Sequence, residues 1–232
     1  MRAHAGAEGQ AGLGDPHVPH DDAVAGGDGG LANLGSGALL QGEAAVTIGT
    51  SGAVRIITNH PMVADSAQLF SYLLDEQTFF CGGAINNGGN VMKWLESLLG
   101  LNDIQGKDIT QLIQKAPEVA AGSDGLVFLP YIHGERAPVW DASARAVFIG
   151  ITASHTQPHF IRAVLEGICF SLLQVLEAIE RNGFPVQILY ASGGFIESSF
   201  WVQLLADITQ KKISVSRAAD ASALGAAFAG MR

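Results

Sequence analysis

The chain has 232 residues, 48% hydrophobic and 15% charged, with 13 Lys and Arg against 22 Asp and Glu for a net charge of −9. That is apolar material for one large domain or two small ones, and it excludes a disordered tail. The acidic balance also excludes a general nucleic-acid binder, which needs basic surface against phosphates, but allows a small anion held by backbone amides and helix N-termini.

Residues 1–23 read as a flexible leader. They carry His4, His17 and His20, many Ala and Gly, and no periodicity, and no aromatic residue precedes Phe70. The histidines repeat no metal-ligand spacing. Residues 24–232 read as one globular unit. Strands are expected at 45–49, 53–58, 68–74, 77–81, 126–129, 146–151, 186–191 and 212–216, and helices at 88–99, 108–116, 157–181, 198–210 and 221–230. The pattern is clearest in 157–181, where Ile161, Val164, Leu165, Ile168, Leu172, Leu176 and Ile179 recur at three- and four-residue steps. Thr156 can cap this helix, Pro158 suits its first turn, and Asn182-Gly183 end it. Strands first, then strands alternating with helices, imply an α/β domain with a mixed sheet flanked by helices on both faces. Cys81 and Cys169 sit in apolar stretches and read as core thiols rather than a disulfide or zinc site. No unbroken apolar run approaches the ~20 residues that span a bilayer, and no signal-peptide h-region opens the chain, so a cytoplasmic protein with no membrane partner is expected.

Five stretches carry chemistry. In "VTIGTSGAVRI", Val46 to Ile56, apolar strands flank a hairpin tip of two glycines and two hydroxyls without a charge. Such a tip is either an ordinary tight turn or a cradle that offers backbone N–H groups to phosphate. In "AGGDGGLANLG", Ala25 to Gly35, Asp28 stands between two glycine pairs; it is a turn aspartate or a carboxylate that a ligand can approach closely. "INNGGNVMKWLESLLG", Ile85 to Gly100, opens an amphipathic helix with another glycine pair. "ASGGFIESSFWVQLLAD", Ala191 to Asp207, places Gly193-Gly194 between a strand and a helix; this is a plain βα turn or a shelf for a flat or anionic ligand. Finally, the polar loop His133-Gly134-Glu135-Arg136 lies among aromatics and prolines, as site loops do. Arg136 and Asp141 read equally as site residues or as a structural ion pair.

Taken together these residues resemble the C-terminal half of the FGGY family of carbohydrate kinases, within the actin, hexokinase and Hsp70 superfamily of ribonuclease H-like ATPase domains. The resemblance runs over 24–232. It rests on Lys93-Trp94-Leu95 after the glycine pair, and on Ala146–Ile151 followed by His159-Phe160 and Ala163–Glu166, which fit the family's second signature. "GTSG", "SGGFIESSFWVQLLAD" and "ADASALGAAFAG" follow in family order. "LPYIHGERAPVWD" is most similar to bacterial gluconate kinases, with xylulose kinases less close.

The resemblance implies ATP with Mg²⁺ as cofactors and a sugar or sugar acid as substrate, gluconate favoured over xylulose or a related pentulose. It implies that Gly49 and Thr50 contact the ATP phosphates and that Gly89 passes close to the nucleotide. Gly193 and Gly194 would let adenosine lie on the sheet edge, with Ser198 or Ser199 facing adenine or ribose. Asp28 would be the general base for the attacking hydroxyl, and 221–230 a connecting helix whose small residues allow hinging. No Asp-hydrophobe-Gly-Thr-Thr strand is present, so the first phosphate loop, a Mg²⁺-anchoring acid and most sugar contacts are expected from a separate N-terminal kinase domain. Without that domain the chain is expected to be inactive, a nucleotide-binding module at most, and its uncovered apolar face to favour a homodimer.

Overall fold

A computed structural model of the chain describes residues 37–62, 69–75, 77–100 and 109–215. The leader, Asp28 and the expected helix 221–230 lie outside the described residues. Six strands form the main sheet: β1 (Glu43–Ile48), β2 (Gly52–Thr58), β3 (Phe70–Asp75), β4 (Thr78–Ile85), β7 (Ile188–Ser192) and β8 (Lys212–Val215), in the order β3-β4-β2-β1-β7-β8. β1 to β4 pair antiparallel, whereas β7 and β8 join β1 in parallel. A separate two-stranded ribbon pairs β5 (Val127–Leu129) with β6 (Val147–Ile149). The helices are α1 (Gly89–Leu98), α2 (Ile109–Ile113), α3 (Gln157–Arg181) and α4 (Ser199–Thr209).

Period-2 alternation sets the register. Ala44, Val46 and Ile48 of β1, Val54 and Ile56 of β2, and Leu189 and Ala191 of β7 share one core with α1, α3 and α4. The described helices therefore pack on that face. On the opposite face only small side chains, Ala45 and Ala53, are fully buried at the centre of β1 and β2.

α3 has the expected bounds, and the whole expected stripe from Ile161 to Ile179 is buried. Its N-terminus is a capping box with an unusual partner: Thr156 N–H donates to Nδ1 of His159 at 3.1 Å, where Glu or Gln usually stands. Nε2 of His159 then carries the proton, 3.1 Å from Oδ2 of Asp124. Burial extends all round the helix from Ile161 to Cys169 because the ribbon, α1 and α4 enclose it along with the sheet. The charges this traps are paired. Arg162 Nε donates to Glu166 at 2.7 Å and Nη1 to Val119 O at 2.6 Å, while Glu166 accepts from Gly122 N–H and the Ser123 hydroxyl. By length and composition α3 is also apolar enough to cross a membrane, a property hidden from a search for unbroken apolar runs because Arg162, Glu166, Glu177 and Glu180 interrupt it. Here its burial makes it the central core helix.

Other bounds differ for local reasons. β6 stops at Ile149, before Gly150 at φ 85°. α2 is followed by a single 3-10 turn, Ala116–Glu118, with Pro117 in place. α4 ends where Gln210 turns left-handed at φ 55°.

Candidate functional site

Three short loops meet where β1 and β7 end. Gly49, Thr50 and Ser51 connect β1 to β2, and Gly49 N–H donates to Ser51 O at 2.9 Å to close the tip. The tip's carbonyls then cap a helix: Gly49 O accepts from Gly89 N–H at 2.7 Å and Thr50 O from Asn90 N–H at 3.1 Å. The first amides of α1, which a helix cannot satisfy internally, are thus answered by the hairpin. Such an approach needs glycine. A Cβ on Gly88 would stand 2.6 Å from Ser51 O, and one on Gly89 would stand 2.8 Å from Gly49 O. At the end of β7, Gly193 adopts φ 98°, and a Cβ there would come within 2.4 Å of Ile48 O.

The outer side of this junction is open. No atom lies within 4 Å of where a Cβ on Gly49 or Gly194 would sit, and Thr50 and Ser51 are exposed. Among the described residues the amides of Thr50 and Ser51 have no backbone acceptor. The result is an uncharged shelf lined by backbone, with room for a ligand and free N–H groups directed by a rigid hairpin. Beneath it, Thr47 Oγ1 and Ser192 Oγ lie 3.0 Å apart, and Arg55 Nη1 donates to Thr47 Oγ1 at 3.1 Å.

Gly49, Thr50, Gly89 and Gly193 are therefore brought together, with Gly194 beside them. Gly89 spends its N–H on the tip, so it positions the hairpin. Ser198 lies beyond the 3-10 turn Gly194–Glu197 and caps α4, its Oγ accepting from Trp201 N–H at 3.2 Å. Asp28 lies outside the described residues.

A second polar assembly borders the shelf through β4, whose Ile85 pairs with Gly52. Glu135 is 3% exposed, and its carboxylate accepts from Asn86 N–H at 2.5 Å, Arg136 N–H at 2.8 Å and Asn87 Nδ2 at 2.9 Å. Asn87, fully buried, also donates to Gly134 O at 2.7 Å and accepts from His133 N–H at 3.1 Å. The loop His133–Arg136 is thus tied to the segment leading into α1. Arg136 and Asp141 do not form an ion pair. Arg136 Nη2 donates to Ile85 O at 3.1 Å, whereas the Asp141 carboxylate accepts from Ser143 N–H at 2.7 Å and its hydroxyl at 2.6 Å. Those Ser143 bonds hold the Asp141 carboxyl below its usual range. Sequence reasoning missed Asn87 and Arg55. The available signal for Arg55 was a lone cation in an otherwise apolar strand.

The shelf suits the phosphates of a nucleotide, since its donors are backbone amides that side chains do not obstruct. Among the described residues no group of three or more His, Cys, Asp or Glu side chains could hold a metal ion.

The C-terminal domain of the FGGY family of carbohydrate kinases matches residues 44–232. A gluconokinase of Bacillus subtilis (strain 168) is 40% identical over 224 residues, which is 94% of this chain and 43% of that protein. A xylulose kinase of Staphylococcus epidermidis is 32% identical over 205 residues, 88% of this chain and 40% of that protein. The crystal structure of gluconate kinase from Lactobacillus acidophilus superposes with a TM-score of 0.81 at 37% identity, over 88% of this chain and 42% of that one. The chain thus spans less than half the length of these relatives. It belongs to the FGGY family of carbohydrate kinases and has the actin- and hexokinase-like fold of that family's C-terminal domain.

Proposed function

We propose that this FGGY-family chain is the nucleotide-binding half of a kinase that transfers the γ-phosphoryl group of ATP to a hydroxyl of a sugar or sugar acid, gluconate being favoured. The observation that carries the reading is the junction of the Gly49–Ser51 tip, Gly88-Gly89 and Gly193-Gly194 into one open, uncharged, backbone-lined shelf. Gluconate is supported by the 40% identity to gluconokinases against 29–36% for the more similar xylulose kinases.

Phosphoryl transfer asks the protein mainly for position and charge stabilisation. On this reading Thr50 and Ser51 direct their amides at phosphate oxygens, and α1 and β7 hold the tip rigid. Gly193 and Gly194 leave the sheet edge flat for the nucleoside, and Ser198 offers its O–H there while its lone pair caps α4. ATP, with its Mg²⁺, supplies the transferable phosphoryl group. Asp28 takes the proton of the attacking hydroxyl, which an ordinary carboxylate can do because the proton moves late. The matched region is under half of each relative, so we assign the remaining sugar contacts to an N-terminal kinase domain acting with this chain.

ADP release from Mg·ATP is the test, with gluconate, xylulose or glycerol against a sugar-free blank, with and without a co-expressed family N-terminal domain. Release with gluconate that disappears in Asp28→Asn, while nucleotide affinity persists, supports the assignment. Full rate in Asp28→Asn would remove Asp28 as the base.

A further inference from the structure

Two arginines, Arg55 and Arg136, lie beneath the shelf. Arg55 stands on β2 opposite Gly82, on the sheet face that carries Thr47 and Ser192, and it is half-buried. Its hydrogen-bond partner among the described residues, the Thr47 hydroxyl, is neutral and already shared with Ser192. Arg136 reaches the same end of the sheet, its Nη2 on Ile85 O, and Ile85 pairs with Gly52, next to Ala53, which pairs with the Thr47 that Arg55 holds. The Arg136 Nε is buried and has no hydrogen-bond partner. Among the described residues neither guanidinium is in an ion pair.

The two charges feel each other. Arg55 is brought down from its ordinary range to about 10, first by burial and then by the positive charge of Arg136. Partly desolvated cations gathered at one end of a sheet are unfavourable until an anion joins them. An N–H left buried without an acceptor adds to that cost and points to the missing group. A guanidinium offers donors in a planar fork that matches the spacing of carboxylate or phosphate oxygens.

We propose that Arg55 and Arg136 form an oxyanion seat beside the glycine shelf, where one carboxylate or phosphoryl group is held between two guanidiniums. The proposal rests on the kinase reading above, which supplies two sources for that group: the carboxylate of a sugar acid and a phosphoryl oxygen of the nucleotide. Either source neutralises the pair and satisfies the Arg136 Nε–H.

Calorimetric titration of the purified 232-residue chain at fixed ionic strength tests it, with gluconate, ADP and adenosine as ligands and with Arg55→Met and Arg136→Gln as variants. The seat predicts a loss of about tenfold or more in affinity for one oxyanion ligand in both variants, with adenosine unchanged. A loss confined to gluconate assigns the seat to the sugar-acid carboxylate, and a loss confined to ADP assigns it to a phosphoryl oxygen. Unchanged affinity for both anions, or an equal loss for adenosine, overturns it. Should the wild-type chain bind neither ADP nor adenosine, the functional reading falls and the seat is read separately. Inorganic phosphate is then titrated while the Arg136 Nε–H resonance is followed by NMR. A shift that Arg55→Met abolishes supports the seat, and no shift overturns it.

Discussion

The glycine shelf and the knot around Glu135 adjoin at one end of the sheet, yet they are built in opposite ways. The shelf is made by leaving side chains out: Gly88, Gly89 and Gly193 bring backbone within reach of backbone, and the open sides of Gly49 and Gly194 leave space. The knot is made by filling that space with polar side chains, Glu135 and Asn87 being almost wholly buried and fully hydrogen-bonded. One region therefore keeps donors free for a ligand, and the other spends the amides of Asn86, Arg136 and Asn87 on holding a loop. The difference teaches that the shelf should fail by steric intrusion, whereas the knot should fail by losing partners.

The largest effect is expected in the knot. Glu135→Ala strands three donors, those of Asn86 N–H, Arg136 N–H and Asn87 Nδ2. The expected destabilisation is about 3 kcal/mol, read by urea unfolding. Glu135→Gln, which keeps an acceptor, should cost clearly less, and equal losses would show that the network is not what matters. Next comes Gly193→Ala, which combines a left-handed φ of 98° with a contact 2.4 Å from Ile48 O. It should cost about 2 kcal/mol and, by displacing the tip, weaken nucleotide binding as well. Gly194→Ala separates the two modes of failure. Its Cβ meets nothing within 4 Å, so stability should change by less than about 0.5 kcal/mol while nucleotide affinity falls. A variant with wild-type affinity would remove Gly194 from the shelf.

Arg55 lies between the regions and gives the smallest effect. Its folded pKa, about 10, is below the ordinary guanidinium range, so the folded state disfavours the proton. The cost is complete below pH 10 and is relieved only as pH rises above it. Between pH 6 and 9 Arg55 should therefore add no pH dependence, and Arg55→Met should leave the unfolding temperature equal or slightly raised. A marked fall would reveal a structural partner for Arg55.

Much of the shelf was visible in the sequence because glycine pairs stand between apolar strands and helix starts, where backbone can approach backbone. The same holds for α3, whose stripe of Ile and Leu repeats at helical spacing over its full length. The knot was hidden for a physical reason. Asn87 and Glu135 are 48 positions apart, and no local pattern reports that an Asn before a glycine pair will bury its amide against a distant carboxylate. Of the two readings of Arg136 and Asp141, the ion pair failed: Ser143 is nearer to Asp141 in the chain and satisfies the carboxylate through an Asx-type turn. Ser198 shows a third case, in which one hydroxyl suits both a ligand contact and a helix cap, and the folded chain uses it as the cap.

The central claim is that the shelf holds a nucleotide, and amide NMR during titration of the ¹⁵N-labelled chain with Mg·ADP tests it most directly. The account predicts saturable shifts concentrated at Thr50, Ser51, Gly193 and Gly194, with the amides of Gly89 and Asn90 moving less because the tip's carbonyls already hold them. Shifts that fall elsewhere, or none at saturating nucleotide, would contradict it.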